Sequence, residues 1–230
     1  VERVRLTDMN PESIEGLKNA LYQDKVYGAL ALLRERKLCR ENCILSLSEL
    51  RVFSQNGEDG IIFELIGHLG IGEGFFVEIG TGDGWSCNCR FLAEILGWSG
   101  VFVEADGDDF AALERRYCET PRIQTLKSYV TPENIVGLLN QTGVESEFDL
   151  LSIDVDGQDF HLWHALASSF RPKIVVVEIN SALRHGVRVV ERVGIDGSFP
   201  LTETWGASIA AMSGLAEQNG YVPIHVEQAG

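Results

Sequence analysis

"FFVEIGTGDGW", Phe75–Trp85, is an apolar run that closes on a carboxylate. It then breaks into glycines at every second position: Gly80, Gly82 and Gly84. A glycine loop between a strand and a helix lets a ligand approach the backbone. Phosphate-binding loops of this kind read G-x-G-x-x-G and rest their anion on the helix N-terminus. Here Trp85 occupies the place of the third glycine, and Asp83 stands inside the loop. A carboxylate there repels a pyrophosphate and favours a ligand that carries positive charge. The Walker pattern is excluded, because no G-K-[ST] follows.

Outward from this stretch the chain keeps a steady rhythm. The runs "GVFVEAD", "RIQTLKSYV", "FDLLSIDVDG", "KIVVVEIN" and "GYVPIHVE" alternate with helical stretches near residues 86–96, 109–118, 132–142, 159–169 and 207–219. Near-continuous apolar strands separated by helices predict a parallel sheet covered on both faces. With right-handed crossovers the result is a doubly wound, mostly parallel Rossmann-like α/β domain. Ligands bind such sheets at the carboxyl ends of the strands. Glu78, Glu104, Asp154, Asp156 and Glu178 all fall at or near strand ends, so the ligand-facing edge is acidic. Residues 1–50 read as an N-terminal helical extension, and residues 51–230 as the α/β domain.

The chain has 230 residues, 45% of them hydrophobic, which suffices for one sizeable core. Its net charge of −15 argues against a nucleic-acid binder and against adhesion to anionic membranes. Neither a membrane span nor a signal peptide is recognisable, which reads as a cytoplasmic protein. The five cysteines, an odd number without zinc-site spacing, read as reduced thiols. S-adenosylmethionine (SAM) carries both an amino group and a sulfonium, the kind of charge the Asp83 loop tolerates.

At this point the sequence resembles a known family. "VEIGTGDG" looks like the first motif of class I SAM-dependent methyltransferases, and "VFVEAD" like their second. More narrowly, "FSQNGEDGII", "FVEIGTGDG", "LLSIDVDGQD" and "VVVEIN", in that order, resemble the FkbM-like methyltransferases of bacterial natural-product and polysaccharide biosynthesis. The resemblance covers about residues 50–225. It implies that Gly80, Gly82 and Gly84 pass the methionine part of SAM. Glu78 would bond its amino group or order the loop, and Glu104 would take the ribose hydroxyls. Gln55 and Glu58 would help bind cofactor or substrate, or else form a capping turn.

Asp154 and Asp156 flank Val155, so in an extended strand both point the same way. One of them reads as the general base next to the transferred methyl, with Asp154 also touching the cofactor. Alternatively the pair holds Mg²⁺, with Asp159 as a third ligand or simply as the N-cap of the next helix. His161, in the first turn of that helix, is a further catalytic candidate, with His164 sharing its face. Glu178 and Asn180 are placed to orient substrate.

Two features depart from the family pattern. The connection 181–206 is long and concentrates Arg184, His185, Arg188 and Arg192, which reads as a lid that meets an anionic substrate group. The chain also stops after one C-terminal strand, where a hairpin is usual, which would leave a sheet edge uncovered. A homo-oligomer or a hetero-complex with a partner subunit would cover it. The leading expectation is an O- or N-methyltransferase for a small natural-product or sugar intermediate. The alternatives are SAM-independent displacement of a sulfate or phosphate by an amine, as in aziridine formation, with Arg184 and Arg188 on the leaving anion, or a non-catalytic binding subunit.

Overall fold

The computed structural model describes residues 28, 45–184, 186–191 and 205–226. The expected N-terminal extension, apart from its last few residues, lies outside them. So do Cys39, Cys43, His185 and Arg192.

Five parallel strands form the sheet: β1 Phe75–Ile79, β2 Ser99–Glu104, β3 Ile123–Lys127, β4 Leu150–Ile153 and β5 Ile174–Val177. Their order is β3-β2-β1-β4-β5. The chain runs outward from β1 to β3 and then crosses back to β4 on the other side of β1. This doubly wound, Rossmann-like order creates a switch point between β1 and β4, where a crevice opens beyond the strand ends.

The helices are α1 Glu58–Leu69, α2 Arg90–Glu94, α3 Gly107–Tyr117, α4 Ile135–Thr142, α5 Asp159–Leu166 and α6 Ile209–Gln218, with a 3₁₀ turn at Leu45–Leu47. They divide over the two faces of the sheet. Val77, Ile79, Val101, Val103, Leu151 and Ile153 pack against Ile135 and Leu139 of α4, Leu162 and Leu166 of α5, and Met212 and Leu215 of α6. Phe76, Phe102 and Leu150 point the other way, onto Ile62 and Ile66 of α1, Phe91 and Leu92 of α2, and Leu113 and Tyr117 of α3. Phe102 stacks on the Tyr117 ring at 5.0 Å. This two-sided burial is why the strands read as unbroken apolar runs.

Three expectations need correcting. Helix α2 is five residues long, because Ser86–Cys89 are used in the turn that enters it. Residues 221–226 carry no strand: Tyr221 donates its hydroxyl hydrogen to the Pro172 carbonyl, and the apolar side chains of Val222, Ile224 and Val226 face outward. The run "SIDVD" does not stay extended. Strand β4 ends at Ile153, and Asp156 and Gly157 turn with φ of 48° and 108°.

Candidate functional site

The crevice at the switch point is a cavity of about 480 Å³. Its walls come from the glycine loop after β1, the turn that opens α1, the loop after β4 and the end of β5. Among the described residues seven carboxylates line it, namely Glu58, Glu78, Asp83, Asp109, Asp154, Asp156 and Glu178, and no lysine, arginine or histidine does.

The turn before α1 is tied by a residue the sequence reading did not single out. Asp59 is 1% exposed. Its Oδ2 accepts the backbone N–H groups of Val52, Phe53 and Ser54 at 2.7–2.9 Å, and the Ser54 hydroxyl at 2.8 Å. Desolvation raises its pKa more than these bonds lower it. The knot presents Gln55, Asn56 and Glu58 to the cavity. Glu58 also accepts the Asn56 and Gly57 N–H groups, so it ties the turn as well as lining the cavity.

The glycine loop follows a different logic at each position. Gly80 has φ 82°, and a Cβ there would sit 1.8 Å from the Asp154 carbonyl oxygen. Its glycine is demanded by the neighbouring strand. Gly82 has φ 55°, and a Cβ there would meet nothing within 4 Å, because it faces the open cavity. Gly84 turns away over Leu113 and is not among the lining residues. Trp85 is clamped outside: the Arg90 guanidinium lies 4.6 Å from its ring and 4.1 Å from the Phe53 ring, and donates to the Trp85 carbonyl.

The two acids assigned to cofactor contacts are largely engaged by backbone. Glu78, 1% exposed, accepts Asn88 N–H and Cys89 N–H at 2.7 and 2.8 Å, which fixes the entry into α2. Of its two expected roles, loop ordering is the one the geometry displays, though the residue still lines the cavity. Burial pushes its carboxyl up to about 7. Glu104 accepts Gly82, Ala105 and Asp106 N–H groups at 2.6–2.8 Å and is not a lining residue. Both of its oxygens are engaged by backbone N–H groups.

Asp154 and Asp156 both reach the cavity, but through the turn at Asp156–Gly157 and not through strand alternation. Asp159 folds back to accept Val155 and Gly157 N–H at 3.3 and 3.2 Å, holding that turn from below; it is a cap for the loop, not the N-cap of α5. Burial pushes Asp159 up to about 7. Burial first, then Asp154, Asp159 and Asp156, push Glu178 up to about 8. Burial and the nearby Asp156 and Glu58 also raise Asp154, although its side chain opens onto solvent in the cavity. Glu178 Oε2 is buried and has no hydrogen-bond partner among the described residues.

Three catalytic candidates are not brought to the cavity. His161 Nε2 lies 2.8 Å from the Glu191 carbonyl oxygen, which makes it the donor that anchors the loop after β5. The Arg188 guanidinium lies against Gly214 of α6. Arg184 is exposed and does not line the cavity. The expected meeting of the arginines with an anionic group therefore has no support from the lining. Asn180, likewise, binds the Trp205 carbonyl and Ala182 N–H.

Sequence reasoning missed Asp59, Ser86, Cys87 and Asn88. Asp59 was legible in principle, since an acid two residues after a glycine, at the start of a helix, suits a buried turn. Among the described residues no group of three or more His, Cys, Asp or Glu is arranged to hold a metal ion, so the Mg²⁺ reading of Asp154 and Asp156 lacks its third ligand. No helix among them is long and apolar enough to cross a membrane.

No protein-family model matches the chain, and no curated protein matches it. Among solved structures, it is similar to a putative sarcosine dimethylglycine methyltransferase from Galdieria sulphuraria, at 13% identity over 73% of this chain and 62% of that one, with a TM-score of 0.49. It is similar to the N-terminal domain of EvdMO1 with SAH bound, at 13% identity over 74% and 73% of the two chains, with a TM-score of 0.46. It is also similar to the SAH-bound Podospora anserina methyltransferase PaMTH1, at 13% identity over 77% and 73%, with a TM-score of 0.41. The chain thus spans 62% of the Galdieria protein's length. The fold assignment rests on the sheet order described above, not on these scores.

Proposed function

We propose that the chain is a SAM-dependent methyltransferase of FkbM-like kind, acting on a small natural-product or sugar intermediate. One observation carries this reading: a switch-point cavity walled by a glycine loop and seven carboxylates, with no basic side chain among the described residues. The residues fit the cofactor. Gly82 leaves open the space a Cβ would fill, and the carboxylates suit an ammonium and a sulfonium. Gln55 and Ser86 are neutral lining groups able to meet its carboxylate. When bound, the cofactor supplies a methyl group already activated on sulfur.

The chain's own task is then alignment, water exclusion and proton removal. The Asp59 knot holds Gln55 and Glu58 on one side. The Asp159 cap holds Asp154 and Asp156 on the other. A partner subunit or second copy along β5, which pairs only with β4 among the described strands, belongs to the same proposal. Size-exclusion chromatography tests it, and a clean monomer at micromolar concentration would end it.

Calorimetric titration with SAM tests the reading itself. Micromolar binding, weakened when Glu78 is replaced by Gln, is the expected result. Absence of binding at millimolar SAM would overturn it.

A further inference from the structure

We infer that Arg90 is a positioning residue that braces two walls of the cavity against each other. One wall is the turn before α1, which presents Gln55, Asn56 and Glu58. The other is the glycine loop, which presents Gly82, Asp83 and Ser86. The inference goes beyond the methyltransferase reading and does not depend on it.

Arg90 opens α2, and its side chain is 2% exposed. A guanidinium stays charged, so it is costly to bury unless paired and hydrogen-bonded. Glu94, one turn along, supplies the pair: its Oε1 accepts Arg90 Nε–H at 3.0 Å and its Oε2 accepts an Nη2 hydrogen at 3.4 Å. An i, i+4 pair of this kind forms equally well on a helix surface, so pairing alone does not require burial. The other contacts of Arg90 supply the reason. Its Nη1 donates to the Trp85 carbonyl at 2.7 Å. Its guanidinium carbon lies 4.1 Å from the centre of the Phe53 ring and 4.6 Å from that of Trp85.

The two rings belong to different walls. Phe53 is part of the knot, with its N–H on Asp59 Oδ2 at 2.7 Å, and Gln55 follows two residues later. Trp85 is part of the glycine loop, with its N–H on Asp83 Oδ1 at 2.8 Å, and Ser86 follows at once. Arg90 therefore grips the glycine loop by a carbonyl and a ring while it holds the knot by a second ring. Asp59, Phe53, Arg90 and Trp85 form a continuous chain of contacts, and none of the four lines the cavity itself. A planar cation with donors in its plane suits both tasks together; a lysine offers a point charge and an aliphatic residue offers no donor.

Trp85 itself points the same way. It is 54% exposed, so burial does not fix its ring. Two cations do: besides Arg90, the Arg116 guanidinium of α3 lies 4.7 Å from the ring and 3.5 Å from Glu94 Oε1. The ring is thus held where it meets Arg90, and its half-exposed position makes it a safe place to break the brace.

The test is hydrogen–deuterium exchange on the whole ligand-free chain, comparing wild type with Trp85→Ala, Trp85→Phe and Arg90→Lys. A break made in the glycine loop should be felt across the cavity: in Trp85→Ala, residues 52–58 should exchange at least about fivefold faster, as should residues 82–88, while α4 on the far face of the sheet stays unchanged. Arg90→Lys keeps the charge and loses the plane, and should show the same pattern. Trp85→Phe keeps a ring over the guanidinium and should stay close to wild type. Unchanged exchange of residues 52–58 in Trp85→Ala, or faster exchange everywhere including α4, would overturn the inference, and this variant decides even where Arg90→Lys does not fold. Calorimetric titration with SAM separates the two proposals. Weaker binding in Trp85→Ala, restored in Trp85→Phe, is expected; failure of wild type to bind would strike the methyltransferase reading and leave the exchange result to decide the brace.

Discussion

Replacing Asp59 with Ala should be among the most damaging changes to a side chain outside the sheet. The side chain is 1% exposed, and one of its oxygens serves three buried backbone N–H groups and one hydroxyl. Val52, Phe53 and Ser54 are themselves at most 5% exposed, so water does not readily replace the lost acceptor. Each orphaned buried donor costs about 1–3 kcal/mol. Three of them give roughly 3–6 kcal/mol after partial relaxation, a large part of the roughly 5–15 kcal/mol that holds a domain together. With a urea m-value of at most about 3 kcal/mol per molar, the midpoint should fall by about 1 M or more. Asp59→Asn keeps one acceptor oxygen but buries an NH₂ group where Oδ1 has no partner, so an intermediate loss is expected. Because the knot presents Gln55, Asn56 and Glu58, SAM affinity should fall in the same order as stability. A midpoint for Asp59→Ala within about 0.3 M of wild type would refute the claim that this carboxylate organises the turn.

The glycine loop gives a paired prediction. Gly80→Ala forces a Cβ onto the Asp154 carbonyl at 1.8 Å and should yield little folded protein, read by soluble expression and circular dichroism. Gly82→Ala meets no neighbour, should cost only about 1–2 kcal/mol for its left-handed backbone, and should weaken SAM in titration by filling the cradle. The pH profile of stability has a definite sign. Glu78 and Asp159 near 7 and Glu178 near 8 bind protons in the folded state that the unfolded chain has released, so this stability is fully present below about 3.8 and is lost as pH rises through 7 to 8. Thermal melts of the ligand-free protein should therefore fall between pH 6 and 8.5, and a flat or rising profile would contradict the burial described. Glu178→Gln should raise the melting temperature at pH 8.5, since it removes a charge that burial and the nearby Asp154, Asp159 and Asp156 disfavour, and a lowered one would show a structural role.

The fold was legible because its cause is local. Strands buried on both faces must be apolar throughout, and "FFVEIG", "GVFVEA" and "KIVVVE" announce that without reference to anything distant. The site was legible only in part. Glycines mark positions where backbone geometry is special, but not whether a ligand or a neighbouring strand is the reason; Gly80 answers to Asp154 and Gly82 to open space. Charged residues mislead in a related way. Arg184 and Arg188 are near the site in sequence, yet Arg188 rests on α6. Asp156 was read by strand alternation, and a turn one residue after Val155 changed its direction. Side-chain direction depends on where an element ends, and strand ends are the least predictable point of a strand.

The acids of this protein divide into two kinds, and the division explains the cavity. Asp59, Glu104 and Asp159 are surrounded by backbone N–H groups that their carboxylates satisfy, so they serve the fold by shaping loops. Glu178 has no such donors on its buried oxygen among the described residues, and Asp154 and Asp156 crowd it with like charge. Folding gains nothing from that arrangement, because each added carboxylate raises the cost of ionising the next. A chain already at −15 net charge deepens its own repulsion there. Such a cost is tolerated where a ligand offsets it, since a cation that binds the folded state alone converts repulsion among the acids into attraction toward itself. The loop-shaping acids hold the walls still, and the unsatisfied ones supply the field between those walls. That separation of roles is what the proposed methyl donor, itself a cation, would draw on.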